Sequence, residues 1–436
     1  MSQFTDFNLL ESLQTTLAEK GLITPTEIQQ RAIPELLNKK SVVGVAETGS
    51  GKTLAFALPI LHLLKTLEND GDPITAESQP RAAVIVPTRE LGEQVTRVFK
   101  PFTHTTRLRV RSVLGGTDLD VAKKNLKGAF EVLVATPGRL VQLTARGLVK
   151  LHDVRVLVFD EADQMLDRGF LADVGRIRRA CAVNTTTGER NHPTMALFSA
   201  TVPPTVEQLI QELFQDAVIL KSKGSHRVVR GLTTQNLEIQ DGKRFPVLEK
   251  LLASPVAGGT MIFTNTREQC DALAVELKKI GQDCVIYRGE MDKLERRRNL
   301  KTFREQKIQV LVSTDLASRG LDLDHVGRVV NYHMPKQMEN YIHRVGRTAR
   351  AGRKGLVVNL ITERDENFLK KIKRLESGAP RAPLSGGRPS PQPDLEWPEE
   401  PVHRKPVAAK IIPVGALASS KATPKSPKKS PSRSER

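Results

Sequence analysis

Two short clusters carry residue types that could do chemistry on phosphates. The first is AETGSGKT, spanning Ala46, Glu47, Thr48, Gly49, Ser50, Gly51, Lys52 and Thr53, between an apolar run and the helical-period stretch TLAFALPILHLL. Glycines let backbone N–H groups turn inward around phosphate oxygens, and the N-terminus of the following helix adds partial positive charge. In such a loop Lys52 reaches the β- and γ-phosphates and Thr53 ligates Mg²⁺. The leading position is Ala46 where the usual pattern has glycine, so the match is to a relaxed form of the motif. The second cluster is Asp160-Glu161-Ala162-Asp163, which closes the apolar run VRVLVF. Carboxylates at the C-terminal end of a strand sit where open α/β sheets bind ligands: Asp160 can hold the metal through water while Glu161 orients and deprotonates the attacking water. On its own this quartet is as readily a solvated turn that caps a helix. A phosphate loop upstream tips it towards catalysis.

Positioning both clusters requires parallel strands. Short β-branched apolar runs alternate with longer stretches of helical period, the pattern of parallel sheets covered by crossover helices. In the first half the runs are Ser41 to Ala46, Ala82 to Pro87, Arg109 to Leu114, Glu131 to Ala135, Val154 to Phe159 and Thr194 to Phe198. In the second half they are Gly259 to Thr264, Asp283 to Tyr287, Gln309 to Val312, Arg328 to Tyr332 and Gly355 to Ile361. The expected organisation is an α/β domain over residues 1–220, a polar, basic linker over 221–234, a second α/β domain over 235–376 and a tail over 377–436. The tail holds 12 of the 26 prolines and a net charge of +6, with no apolar periodicity, and is expected to be disordered.

At 436 residues the chain is long enough for two or three cores. No apolar run approaches a membrane span, and the opening MSQFTDFNLL lacks a signal-peptide pattern. Three cysteines without C-x-x-C spacing exclude a disulfide framework and fit a reducing, cytoplasmic compartment. The formal net charge of +18 suits a polyanionic partner, nucleic acid before an acidic membrane surface. Aromatics at 4% are too sparse for a broad base-stacking platform.

These motifs fall in a family order. Gln29 in GLITPTEIQ, the AETGSGKT loop, PTRELGEQ, Gly115-Gly116, TPGR at Thr136 to Arg139, the DEAD quartet, SAT at Ser199 to Thr201, MIFTNT, STDLASRGLD and YIHRVGRTARAGR together closely resemble the DEAD-box ATP-dependent RNA helicases, over residues 4 to about 375. The resemblance implies two tandem RecA-like domains, an adenine-reading segment at about residues 2–30, and ATP and Mg²⁺ as cofactors. It implies RNA, single-stranded or as a short duplex, as the partner, no membrane, and a monomeric working unit. Gln29 would read the adenine edge, with Phe4 packed on the ring, although Phe4 alone is more simply a hydrophobic staple of the first helix. Asp322 joins the nucleotide set. Lys52, Glu161, Arg347 and Arg350 would be catalytic, the two arginines crossing from the second domain to the γ-phosphate. The RNA strand would run along Pro87, Thr88, Arg89, Gly115, Gly116, Thr136, Pro137, Gly138 and Arg139 in the first domain. In the second it would meet Thr264, Asn265, Thr314, Asp315 and Arg319. Asp163, Ser199, Thr201 and His343 would couple the nucleotide state to that groove.

The implied activity is an RNA-stimulated ATPase that unwinds short duplexes or remodels RNA–protein complexes with little sequence specificity. An ATP-gated RNA clamp would use the same residues, and a DNA translocase is disfavoured by the adenine-reading glutamine and the DEAD signature. By analogy, several bacterial members of this compact type act in ribosome assembly or RNA decay, which makes proteins of those systems candidate partners. Three positions depart from the family pattern. Gly92 stands for the common alanine and Ala349 for glycine, both changes small enough to leave the fold intact. Lys293 stands where a glutamine is usual, which puts that polar link in doubt and offers a phosphate contact instead.

Overall fold

A computed structural model describes residues 2–47, 49–116, 118–182, 192–222, 232–315, 323, 325–349 and 354–376, and of these the side chains of Lys293 and of residues 374–376 are not described. The tail over 377–436 lies outside the described residues.

In the first half the strands are β1 (Val42–Val45), β2 (Ala82–Ile85), β3 (Val110–Val113), β4 (Val132–Ala135), β5 (Val156–Phe159), β6 (Thr194–Ser199) and β7 (Val218–Lys221). They form one parallel sheet in the order β3-β4-β2-β5-β6-β1-β7. The helices are α1 (Glu11–Glu19), α2 (Glu27–Leu37), α3 (Lys52–Asn69), α4 (Arg89–Thr106), α5 (Leu119–Asn125), α6 (Pro137–Ala145), α7 (Ala162–Asp167), α8 (Leu171–Ala182) and α9 (Pro204–Leu213). Two apolar clusters form, one on each face of the sheet. Alternate residues of one strand serve each: Val42 and Val84 one side, Val43 and Ala83 the other.

The second half repeats the plan with β8 (Leu232–Glu238), β9 (Gly259–Thr264), β10 (Val285–Tyr287), β11 (Val310–Thr314), β12 (Val326–Asn331) and β13 (Gly355–Ile361). Their order is β10-β11-β9-β12-β13-β8, again parallel throughout. Helices α10 (Arg244–Ala253), α11 (Arg267–Lys279), α12 (Lys293–Arg304), α13 (Met338–Val345) and α14 (Glu366–Glu376) accompany it. No helix among the described residues is long and apolar enough to cross a membrane.

Every strand expected from the sequence is present; several are trimmed at their ends, β9 and β13 keep the expected bounds, and β6, β11 and β12 run past them to Ser199, to Thr314 and back to Val326. The 221–234 linker differs from expectation at both ends: Lys221 closes β7, and 232–234 open β8. Each is an edge strand, paired on one side only, and LTTQNLE is polar and mostly exposed, so it lacks the apolar run that marks a central strand.

Candidate active site and nucleic-acid interface

Parallel strands bring their C-terminal ends to one edge of a sheet, and that edge collects the motifs. The order β5-β6-β1 sets the acidic quartet, Ser199–Thr201 and the phosphate loop side by side. The loop is tied to β6 by the Ala46 N–H, which donates to the Ser199 carbonyl at 3.0 Å. Gly49 and Gly51 take φ of 83° and 89°, a left-handed turn that a side chain would resist. At Gly51 a Cβ would also lie 2.4 Å from Gln29 Nε2. Gln29 is buried on α2, where Oε1 accepts from the Thr26 N–H at 2.9 Å and Nε2 donates to the Gly51 carbonyl at 3.0 Å, so the residue expected to read adenine is held against the loop. Phe4 is buried in the first core beside Phe7, and its N–H donates to the Ile23 carbonyl.

Lys52 is buried, with Nζ 2.9 Å from the Ala46 carbonyl, 3.3 Å from the Glu47 carbonyl and 3.3 Å from Glu161 Oε1. Glu161 has a φ of 54°, a strained left-handed conformation for a residue with a side chain, at the turn that opens α7. Burial, then the neighbouring Glu161 charge, pushes the Asp160 carboxyl up to about 7, against the pull of Lys52. Burial likewise raises Glu47 from its ordinary value. A divalent cation would relieve the burial of Asp160. The hydroxyl of Thr53 and the carboxylate of Asp160 are hard oxygen donors that fit Mg²⁺. Among the described residues no group of three or more His, Cys, Asp or Glu could hold a metal, so water and phosphate oxygens would fill the remaining shell, as is usual for Mg²⁺.

Asp163 is the centre of a second network. Its Oδ2 accepts from Thr201 Oγ1 at 2.7 Å and Thr201 N at 3.0 Å, while its own N–H donates to Ser199 Oγ at 3.3 Å. From α13 of the other half, His343 Nε2 comes within 3.5 Å of the same oxygen. Burial alone would raise this carboxyl, but His343 and Thr201 outweigh it and hold it well below the usual carboxylate range. All four residues expected to couple the halves therefore meet. Arg347 is also buried, and its Nε donates to the His343 carbonyl at 2.9 Å.

A cavity of about 600 Å³ lies between the halves. Pro87, Thr88, Arg89, Gly115, Gly116 and Thr136 line it from the first half. Thr88 caps α4 by accepting from Leu91 N at 3.2 Å, and Thr136 Oγ1 accepts from Gly115 N at 2.9 Å, which joins the Gly-Gly loop to the Thr-Pro-Gly turn. Pro137, Gly138 and Arg139 begin α6 outside that lining, with Arg139 donating to Gln142. From the second half the lining is Tyr287, Met291 and the basic face of α12, including Arg296 and Arg297. These two arginines pair with Glu90 at 3.2 Å and Glu93 at 3.3 Å across the halves, and Arg296 lies over the Tyr287 ring. The sequence reading missed both.

Thr264, Asn265, Thr314 and Asp315 stand at the ends of β9 and β11 but do not line that cavity. A third unforeseen residue, Arg344, ties Asn265 and Asp315 together. It is 1% exposed, lies over the Phe263 ring, and donates through Nη2 to Asn265 Oδ1 and Asp315 Oδ2, each at 2.8 Å. Its Nη1 reaches the His333 carbonyl and Asn331 Oδ1. The signal available was the arginine density of YIHRVGRTARAGR, which does not say which member turns inward. Thr48, Arg319, Asp322 and Arg350 lie outside the described residues, as does the Lys293 side chain.

The departures from the family pattern have local reasons. A Cβ at position 92 would lie 2.3 Å from Leu114 Cδ2, so Gly92 makes room for the residue that precedes the Gly-Gly loop. Ala349 has a φ of 57°, where the family's glycine would be unstrained; the substitution carries a backbone strain that its small size had not suggested.

Comparison with known proteins places this geometry. The DEAD/DEAH box helicase family matches residues 26–209 and the helicase conserved C-terminal domain residues 243–352. The chain is 33% identical over 374 residues to the DEAD-box ATP-dependent RNA helicase CshA of Geobacillus kaustophilus, covering 86% of this chain and 76% of that protein. It is 32% identical to the ATP-dependent RNA helicase DbpA of Bacillus subtilis, covering 85% and 74%. Among solved structures, S. cerevisiae Dbp5 bound to RNA and ADP BeF3 superposes with a TM-score of 0.76 at 28% identity, over 86% of this chain and 94% of that one.

Proposed function

The chain belongs to the DEAD-box family of ATP-dependent RNA helicases, and from that premise we infer how its own residues couple ATP hydrolysis to the remodelling of RNA. The activity is that of an RNA-stimulated ATPase. The observation that carries the coupling is the buried chain Lys52–Glu161 and Asp163–His343, which runs from the phosphate loop of one lobe to the arginine-bearing helix of the other.

ATP seats its phosphates on the Gly49–Gly51 turn, and Lys52 leaves the loop carbonyls and Glu161 for the β- and γ-phosphates. Gln29 lies on the adenine side, whereas Phe4 is buried in the first core beside Phe7, as a staple of the first helix would be. Thr53 and Asp160 would hold Mg²⁺, which would supply charge neutralisation of the phosphates. Glu161 takes a proton from the attacking water, and Arg347 and Arg350 approach the γ-phosphate as charge develops, a contribution of about 10³- to 10⁵-fold when an arginine serves in that way. Because those arginines belong to the second lobe, turnover requires closure. Closure also completes the groove lined by Pro87–Arg89, Gly115–Gly116 and α12, where small residues and N–H groups grip sugar and phosphate and leave base edges unread. A single strand held there cannot pair with its complement, and loss of the γ-phosphate lets the lobes part.

The protein is further proposed to work in the cytoplasm as a monomer on RNA undergoing ribosome assembly or decay. Cysteines left as thiols, two of them buried, and the compact two-lobed body with a basic tail support this reading. The test of the substrate is ATPase stimulation by single-stranded RNA against DNA of the same sequence. Stimulation by RNA alone is expected, and equal stimulation would overturn the assignment.

A further inference from the structure

Gln164, the residue after the acidic quartet, is fully buried on α7. Its Nε2 donates to Glu161 Oε2 at 3.1 Å, while Lys52 Nζ holds the other oxygen, Oε1, at 3.3 Å. Its own Oε1 is buried without a hydrogen-bond partner among the described residues. A buried amide with an unused acceptor destabilises a fold relative to an apolar side chain of the same shape, so stability does not account for a glutamine here. Its one side-chain bond goes to the general base.

We propose that Gln164 is the positioning residue of the general base: when the phosphates draw Lys52 away, Gln164 keeps Glu161 Oε2 and leaves Oε1 directed at the attacking water. The backbone cannot do this, because the strained turn at Glu161 fixes its Cα and leaves the carboxylate free to rotate. The inference rests on ATP hydrolysis at this site. Water gives a proton to Glu161 and its oxygen to the γ-phosphorus, the bond from that phosphorus to the β–γ bridging oxygen breaks with its electron pair leaving on ADP, and Gln164 neither gains nor loses a proton.

The test is Gln164→Met, which keeps volume and removes the donor. RNA-stimulated kcat should fall about 10-fold, the range for losing a hydrogen bond to a charged group, with KM for ATP and ADP–beryllium-fluoride-dependent RNA retention unchanged and thermal stability equal or higher. Gln164→Glu, isosteric but placing a carboxylate against Glu161, should lose at least as much. In a Glu161→Gln background, Gln164→Met should change kcat no further. An unchanged kcat in Gln164→Met, or an equal loss in the Glu161→Gln background, overturns the proposal. If wild type itself hydrolyses no ATP with RNA present, the failure lies in the functional reading instead.

Discussion

Asp163 Oδ2 of the first lobe and His343 Nε2 of the second lie 3.5 Å apart, each residue at most 4% exposed. Two Thr201 donors already serve the same carboxylate oxygen, so the aspartate senses the first lobe's sheet and the second lobe's helix at one atom. Replacing His343 by Gln retains a donor, whereas His343→Ala removes it. RNA stimulation of ATP turnover should fall about 10-fold or more in His343→Ala and less in His343→Gln, with ATP affinity little altered, as read in steady-state ATPase assays.

At the reacting centre, Glu161→Gln should slow hydrolysis by about 10²- to 10⁴-fold while preserving ATP-dependent RNA retention, since it removes the base and keeps the shape. Lys52→Ala should lose turnover and retention together. Retention measured on filters and phosphate release measured in the same samples distinguish the two.

The pairs Arg296–Glu90 and Arg297–Glu93 also bridge the lobes, but they differ in surroundings. Arg296 is sheltered over the Tyr287 ring, while Arg297 is largely exposed. Arg297→Ala should change nucleotide-dependent RNA affinity by no more than about 1 kcal/mol, the limit for an exposed pair. Arg296→Ala should change it more, and Glu90→Arg combined with Arg296→Glu should restore part of the loss. Fluorescence anisotropy of a labelled oligoribonucleotide measures all three.

Acid should loosen the second lobe through His333. Burial first, then Arg244 and Arg344, pull its imidazole from 6.5 down to about 4. Because the folded state resists a proton that the unfolded chain accepts, stability is full above pH 6.5 and declines as the pH falls from there towards about 4. His333→Asn, which does not titrate, should flatten that part of the stability profile in urea titrations across this window.

Relieving the left-handed alanine offers a gain of stability. Ala349→Gly should stabilise the second lobe by up to about 1 kcal/mol, as removal of the Cβ strain exceeds the added freedom of the unfolded chain. A higher urea midpoint at constant slope is the expected reading.

Most of the site was legible because parallel strands end on one edge: once the apolar runs are found, the residues that follow β1, β2, β5 and β6 have to converge. Contacts made by side chains from distant segments were not legible. Arg344 is one arginine among several in its motif, and only the folded chain shows it turned onto Asn265 and Asp315. Gln164 looks like any polar residue opening a helix until Glu161 is seen beside it. β8 was hidden for another reason, since an edge strand needs little apolar surface and LTTQNLE is mostly polar and exposed, whereas β7 is a short apolar run, VILK, passed over at the start of the linker.

The central claim is that nucleotide and RNA together close the lobes on the contacts described above. Dyes at Val121→Cys on α5 and Val275→Cys on α11, two exposed positions on opposite lobes, with Cys284→Ser to leave only buried native thiols, would report the interlobe distance by single-molecule energy transfer. With ADP–beryllium fluoride and single-stranded RNA both present, the molecules should gather in one high-efficiency state that Lys52→Ala fails to reach. An efficiency distribution identical with and without the two ligands would contradict the account.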